Sequence, residues 1–205
     1  MSKGSISYRK HLKRTTIRQL TVSIIAALAL GISAIGRTPD VFKRKNIETR
    51  MLAVAKWQLA NPKHRLYDWT NGAFYAGIFA AYETTRSREL MTALMEMGEK
   101  NEWKPGPRFD HADDIVINQT YLDLYRIKKD KKMLQPTIDA AERLKRESGN
   151  EVAKHGITWW WCDALFMAPP TLAKLARITG DRSYLDLNDR FFQETYDRLY
   201  DRQEK

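Results

Sequence analysis

The stretch Ala176-Arg-Ile-Thr-Gly-Asp-Arg-Ser-Tyr184-Leu185 decides the fold, because the chain holds three versions of it. Tyr82-Glu-Thr-Thr-Arg-Ser-Arg-Glu-Leu90-Met91 and Tyr125-Arg-Ile-Lys-Lys-Asp-Lys-Lys-Met133-Leu134 align with it, the three copies lying 43 and 51 residues apart. Each copy closes an apolar segment, crosses a short polar link and opens a more charged segment. A turn repeated at such spacing is the mark of stacked helical hairpins.

The segments between the turns read as helices. Residues 41–60 place Ile47, Met51, Val54, Ala55 and Leu59 at helical spacing and stop at Asn61-Pro62. The same pattern predicts helices over roughly 69–86, 87–101, 111–128, 131–148, 159–179 and 182–200. No stretch alternates with period two, so the fold class is all-α. Segments 69–86 and 159–179 are apolar on most faces, through Phe74, Ile78 and Phe79 in one and Leu165, Phe166, Leu172 and Leu175 in the other. Segment 131–148 carries charges on a broad face instead. A helix apolar all round is enclosed and one with a charged face lies outside. Three inner and four outer helices are therefore expected, as a toroid of hairpins or an open solenoid.

Charge separates the first 50 residues from the rest. The chain of 205 residues has a net charge of +10, which on its own suggests nucleic acid or a membrane surface. Residues 1–50, however, carry eleven Lys and Arg against Asp40 and Glu48 alone, which leaves the remainder almost neutral. Lys3, Arg9, Lys10, Lys13, Arg14 and Arg18 precede the apolar run Leu20–Gly36. That order predicts an export signal, or an uncleaved N-terminal membrane anchor, over residues 1–36. An exported protein, periplasmic or secreted, is thus expected, with no nucleic-acid partner and membrane contact only through this segment. The single cysteine, Cys162, rules out an intramolecular disulfide, and its neighbours Trp161 and Leu165 predict a small buried hydrophobe.

Three polar and aromatic clusters stand at the starts of the three inner helices: Asp68-Trp-Thr-Asn-Gly72, His111-Ala-Asp-Asp114 and Trp159-Trp-Trp-Cys-Asp163. In a ring of hairpins these starts share one end, where they can converge on a pocket. Asp68, Asp113 and Asp163 also occupy positions where an acid simply caps a helix. Capping does not account for three consecutive Trp beside Asp163 or for Trp69 in the first cluster. Exposed Trp faces stack on sugar rings, although core packing also places Trp in such runs. No glycine-rich phosphate loop, no serine elbow and no His spacing suited to a metal is present, so neither metal nor cofactor is expected.

Asp68-Trp-Thr-Asn-Gly72, His111-Ala-Asp-Asp114 and above all Trp160-Trp-Cys-Asp-Ala-Leu-Phe-Met-Ala-Pro169 resemble glycoside hydrolase family 105, the unsaturated rhamnogalacturonyl hydrolases, which are similar to the unsaturated glucuronyl hydrolases of family 88. The resemblance runs from about residue 43 to the end. It implies an (α/α)6 barrel of six hairpins, of which residues 40–205 would be a partial domain holding the first three to four. It also implies that Asp163 is the general acid/base and that the second aspartate falls in the His-Ala-Asp-Asp cluster. Counting back from Tyr125 favours Asp113 over Asp114. Trp69 and Trp161 match aromatic positions beside the substrate ring, and Asn71 and His111 are further binding candidates. The implied substrate is a lyase-generated, pectin-type oligosaccharide ending in a 4,5-unsaturated uronic acid. Its vinyl ether is protonated and hydrated, and an acid suited to this needs its pKa raised, which an apolar Trp-lined setting around Asp163 would provide. The alternatives are a non-catalytic helical-repeat fragment that binds carbohydrate, and an α/α toroid of another activity such as a sugar epimerase or mannosidase. The Trp-Cys-Asp block argues against the last.

Overall fold

The computed structural model describes residues 40–147 and 149–204. The segment read as an export signal or anchor, residues 1–36, lies outside them. Among the described residues all regular structure is helical, and no helix is long and apolar enough to cross a membrane. The residues up to Ile47 belong to a short unit of their own, in which a 3₁₀ turn at Asp40–Phe42 leads into the first helix.

The body, from Glu48 onward, is built from four outer and three inner segments, the first outer helix contributing its residues from Glu48 on. The outer ones are α1 (Arg44–Ala60), α3 (Arg88–Lys100), α6 (Gln135–Arg146) and α10 (Ser183–Leu199). The inner ones are α2 (Trp69–Thr85), the pair α4 (Ala112–Ile115) and α5 (Asn118–Lys128), and the pair α8 (Ala164–Met167) and α9 (Pro169–Thr179). A short helix, α7 (Asn150–His155), stands between α6 and the Trp run.

The repeated turn has a definite physical form. Arg86, Lys129 and Gly180, the fifth residue of each copy, have φ of 56°, 59° and 78°, the left-handed conformation that ends a helix. Their backbone N–H groups donate to the carbonyls of Tyr82, Tyr125 and Ala176, the first residue of each copy, at 2.8 Å. The sixth residue starts the next element: Ser87 Oγ accepts from the Leu90 amide at 3.5 Å, Asp130 Oδ1 from Lys132 at 3.1 Å and Asp181 Oδ1 from Ser183 at 2.9 Å. One residue thus stops the inner helix and the next begins the outer one. Only Gly180 adopts its φ without a Cβ penalty, which for other residues is roughly 1–2 kcal/mol. Lys129→Gly is accordingly expected to raise the unfolding free energy in urea by about 1 kcal/mol. A fall would mean that the Lys129 ammonium, 5.6 Å from the Tyr125 ring centre, contributes more than the backbone costs.

Two clusters of buried side chains fill the body. One holds Ile78, Phe79, Leu90, Leu94, Tyr121 and Leu124 beneath α1, α2 and α3. The other holds Leu122, Leu144, Trp159, Leu172, Leu175 and Phe191 among α5, α6, α9 and α10. Helix α5 feeds both, and every residue from Asn118 to Leu124 is buried. It is the most enclosed element, as an inner helix should be.

Two expected inner helices are interrupted. Segment 111–128 tightens to three-residue hydrogen bonds after Val116 and Ile117, whose carbonyls accept from Gln119 and Thr120 at 3.1 Å. There α2 comes close, for a Cβ on Gly72 would lie 2.2 Å from Val116 Cγ1. Segment 159–179 does not start at Trp159. Residues 159–163 are loop, a first turn runs from Ala164, and the helix restarts at Pro169-Pro170, which lack the N–H groups needed to continue it. Segment 131–148 likewise opens with a 3₁₀ turn, Lys131–Met133, and ends at Arg146. Helix α7 was not anticipated. It ends at Gly156, with φ 82°, and it begins at Gly149, where a Cβ would meet Asp110 Oδ2 at 1.9 Å.

Candidate active site

The starts of the three inner segments supply the site, and each is held differently. At α2, Asp68 is a true cap: its Oδ1 accepts from the Thr70 amide at 3.0 Å and from the Thr70 hydroxyl at 2.7 Å. Burial pushes the Asp68 carboxyl up, but these bonds and the nearby His64 and Arg65 outweigh it and leave it below the usual range. Trp69 is 46 % exposed at the pocket edge. Asn71 is buried instead, and its amide donates to the carbonyls of His64 (3.2 Å) and Arg65 (2.8 Å). The residue expected to touch a ligand is therefore occupied in holding the loop before α2.

At α4 the two neighbouring acids take opposite roles. Asp114, only 5 % exposed, accepts from the Arg108 backbone amide at 2.8 Å and from its guanidinium at 2.6 and 3.2 Å. It fastens the 105–110 loop. Asp113 is part-buried, and its Oδ2 lies 3.5 Å from His111 Nδ1 and 3.7 Å from Arg108 Nη2. Burial raises the Asp113 carboxyl, as do the charges of Asp163 and Asp114, while His111 and Arg108 oppose them without cancelling the rise. His111 caps this turn: its Nδ1 accepts from the Asp113 amide at 3.3 Å, which leaves Nε2 as the protonated nitrogen of the neutral ring. That nitrogen faces Glu151 Oε2 at 4.0 Å.

At α8, Asp163 occupies the cap position, yet its side chain makes no capping hydrogen bond and the residue is exposed. Capping thus accounts for Asp68 but not for Asp163. The apolar enclosure expected around Asp163 is not found there; the part-buried acid is Asp113, among charged and aromatic neighbours. Cys162 is exposed as well, contrary to expectation, because residues 159–163 form a loop rather than an enclosed helix.

The three consecutive Trp have three environments. Trp159 is a core residue, 1 % exposed, set edge-on against Phe191 with ring centres 5.2 Å apart. Trp160 is half-buried. Its Nε1 donates to Glu151 Oε2 at 2.6 Å and its ring stacks on His155 at 3.8 Å. Trp161, 53 % exposed, lies 4.2 Å from Trp160 at 38°. Glu151 and His155, both on α7, are site residues that the sequence reading missed. Gly149 and Gly156, which bracket this helix, were its only local signal.

Two adjoining hollows result. An open cleft of about 490 Å³ is lined by Lys63, His64, Arg65, Tyr67, Trp69, Arg108 and the acids Asp68, Asp113 and Asp114. A much smaller recess is lined by His111, Asp113, Glu151, Trp160, Trp161 and Asp163. Asp113 belongs to both. All three helix starts therefore converge as expected, with Asp113 where they meet.

Hairpins of inner and outer helices, with acids and Trp at the inner-helix starts, define an α/α toroid, of which this chain forms part. A solved structure titled a possible member of the GH105 family, from Klebsiella pneumoniae, superposes with a TM-score of 0.66 at 18% identity, covering 82% of this chain and 51% of that one. The family model described as Glycosyl Hydrolase Family 88 matches residues 43–205, and the chain belongs to that family. The resemblance read from the Trp-Cys-Asp block, to family 105 and its relative family 88, is thereby met. Two curated relatives, from Formosa agariphila and Alteromonas sp. strain LOR, are each named unsaturated 3S-rhamnoglycuronyl hydrolase. They are 31% and 25% identical, over 95% and 89% of this chain and 54% and 57% of their own length. The chain thus spans about half the length of the curated relatives it matches.

Proposed function

We propose that this chain carries the acid pair of an exported hydrolase that removes a 4,5-unsaturated uronic acid from the non-reducing end of lyase-generated oligosaccharides. The observation that carries this reading is the convergence of Asp113 and Asp163 beside exposed Trp161. One carboxyl is raised by burial and the other is left free by its helix. Asp163 delivers a proton to C4 of the vinyl ether. Water adds at C5, and its proton returns to the carboxylate. The C5 hemiketal then opens, and the hemiacetal left at C1 releases the remaining saccharide, so that one water is consumed and the acid pair is restored. Burial and the Asp163 charge raise the Asp113 carboxyl, so the proton that Asp163 delivers is held by the pair. Trp161 and Trp69 offer ring faces to the sugar. His111 orients Asp113 through its backbone, and Asn71 supports the loop beneath rather than the ligand.

The relatives' names support a rhamnose-linked unsaturated uronide over the pectin-type oligosaccharide expected from sequence. The basic and apolar order of residues 1–36 supports export. The test is to incubate the purified chain with lyase-generated unsaturated disaccharides and follow the enol-ether ultraviolet absorbance. Loss of absorbance with release of the second sugar is the expected result. No loss at any pH between 5 and 8 would overturn the hydrolase reading and leave the carbohydrate-binding one.

A further inference from the structure

We infer that Gln119, reaching across from α5, is a positioning residue for the proposed reaction: its side-chain amide fixes the short turn α8 and with it the place of Asp163. This role rests on Asp163 being the proton donor proposed above, and adds what aims it. Asp163 needs such support, because its exposed side chain makes no capping hydrogen bond. Its carboxyl therefore stands where the backbone of α8 puts it. That turn cannot complete itself. Pro169 and Pro170 have no N–H to give to the carbonyls of Leu165 and Phe166, four residues back. The Thr171 amide, which a continuous helix would give to Met167, donates to Ala168 at 3.0 Å instead. Three carbonyls in a row are thus left without a helical donor.

Gln119 serves two of the three. Its Nε2 donates to the Phe166 and Met167 carbonyls, at 2.9 Å in each case, which uses both hydrogens that the amide carries. The Phe166 carbonyl belongs to the same peptide unit as the Met167 N–H, and that N–H donates to the Asp163 carbonyl at 3.2 Å. The Phe166 N–H donates to the same oxygen at 2.9 Å. Gln119 and Asp163 are therefore joined through a single peptide group, a chain in which each bond polarises the next. Gln119 is itself held in place. Its backbone N–H donates to the Val116 carbonyl at 3.1 Å, where the inner segment tightens, and its carbonyl accepts from Lys174 Nζ at 3.4 Å. The residue is buried, and a buried amide is costlier than an apolar side chain of the same length unless its donors are used.

The test combines amide hydrogen exchange, read by NMR, with steady-state turnover of an unsaturated disaccharide, both on the 205-residue chain. Gln119→Met keeps the length of the side chain and removes both donors. The Phe166 and Met167 amides are expected to exchange about tenfold or more faster in this variant, while α5 and α9 keep their rates. Turnover should show kcat lowered about tenfold to a hundredfold with KM within about twofold, the mark of a misplaced acid rather than of a lost sugar contact. Pro170→Ala gives the Phe166 carbonyl a donor from its own helix. The double variant Gln119→Met/Pro170→Ala should therefore regain protection in α8, which a loss of packing alone would not allow. If Gln119→Met fails to fold, the double variant decides by folding or not. Unchanged exchange in α8, faster exchange spread evenly over α5 and α9, no recovery in the double variant, or a wild-type kcat in Gln119→Met would each overturn the inference. No turnover by the wild-type chain would instead count against the hydrolase reading, while the exchange rates still decide whether Gln119 fixes α8.

Discussion

Asp163→Asn is expected to lower kcat/KM on an unsaturated uronyl disaccharide by about 10²–10⁴-fold, the range for removing a general acid. Stability should stay within about 0.5 kcal/mol, because the side chain is exposed and makes no capping hydrogen bond. Asp113→Asn should also lose activity, yet it should change stability in the opposite sense from most buried-acid replacements. Folding holds the Asp113 carboxyl above its ordinary value of 3.8, chiefly by burial. The folded chain therefore binds this proton more tightly than the unfolded one. The group's contribution to stability is complete below that value and declines as the pH rises above it. Asn removes the decline, so the variant should have the higher urea midpoint at pH 7 and an equal one near pH 3. A lower midpoint at pH 7 would show that attraction from His111 and Arg108 exceeds the cost of burial. A retained rate in Asp163→Asn would move the proton donor elsewhere.

Much of this arrangement was legible because turns and helix starts are local chemistry. The three copies of the turn were visible as a pattern of residues, and each proves to be a left-handed stop followed by a polar side chain that accepts a backbone N–H two or three residues on. The convergence of Asp68, Asp113 and Asp163 followed from inner helices running in parallel. Helix continuity was less legible. Periodicity sees no difference between an unbroken inner helix and one that tightens at Val116 where α2 presses against it. Asn71 and Asp114 stood in the right clusters, but their hydrogen bonds reach back six or seven residues into loops. Such partnerships have no period. Helix α7 escaped notice for a related reason, since six residues between two glycines carry too little pattern to show a face. Its Glu151 enters the site only because Asp110, 41 residues earlier, accepts its backbone amide at 2.9 Å.

The Trp run gives the sharpest contrast between core and site, because three identical side chains in a row should respond differently to the same change. Trp159 is enclosed among Phe191 and its neighbours, and its carbonyl accepts from the buried Thr195 hydroxyl. Trp159→Ala leaves a large void there and is expected to cost about 3–5 kcal/mol. That is much of the 5–15 kcal/mol that keeps an ordinary domain folded. The variant should unfold at far lower urea and lose its near-ultraviolet circular dichroism first. Two positions along, Trp161→Ala removes a half-exposed ring and should leave the urea midpoint almost unchanged. The affinity for an unsaturated disaccharide should instead fall by about tenfold, the order of one aromatic stacking contact. Trp160→Phe should fall between them, since it keeps a ring against His155 but gives up the bond to Glu151. Unfolding by all three to the same degree would make the whole run a core element. It would then remove the aromatic half of the proposed sugar site while leaving its acids in place.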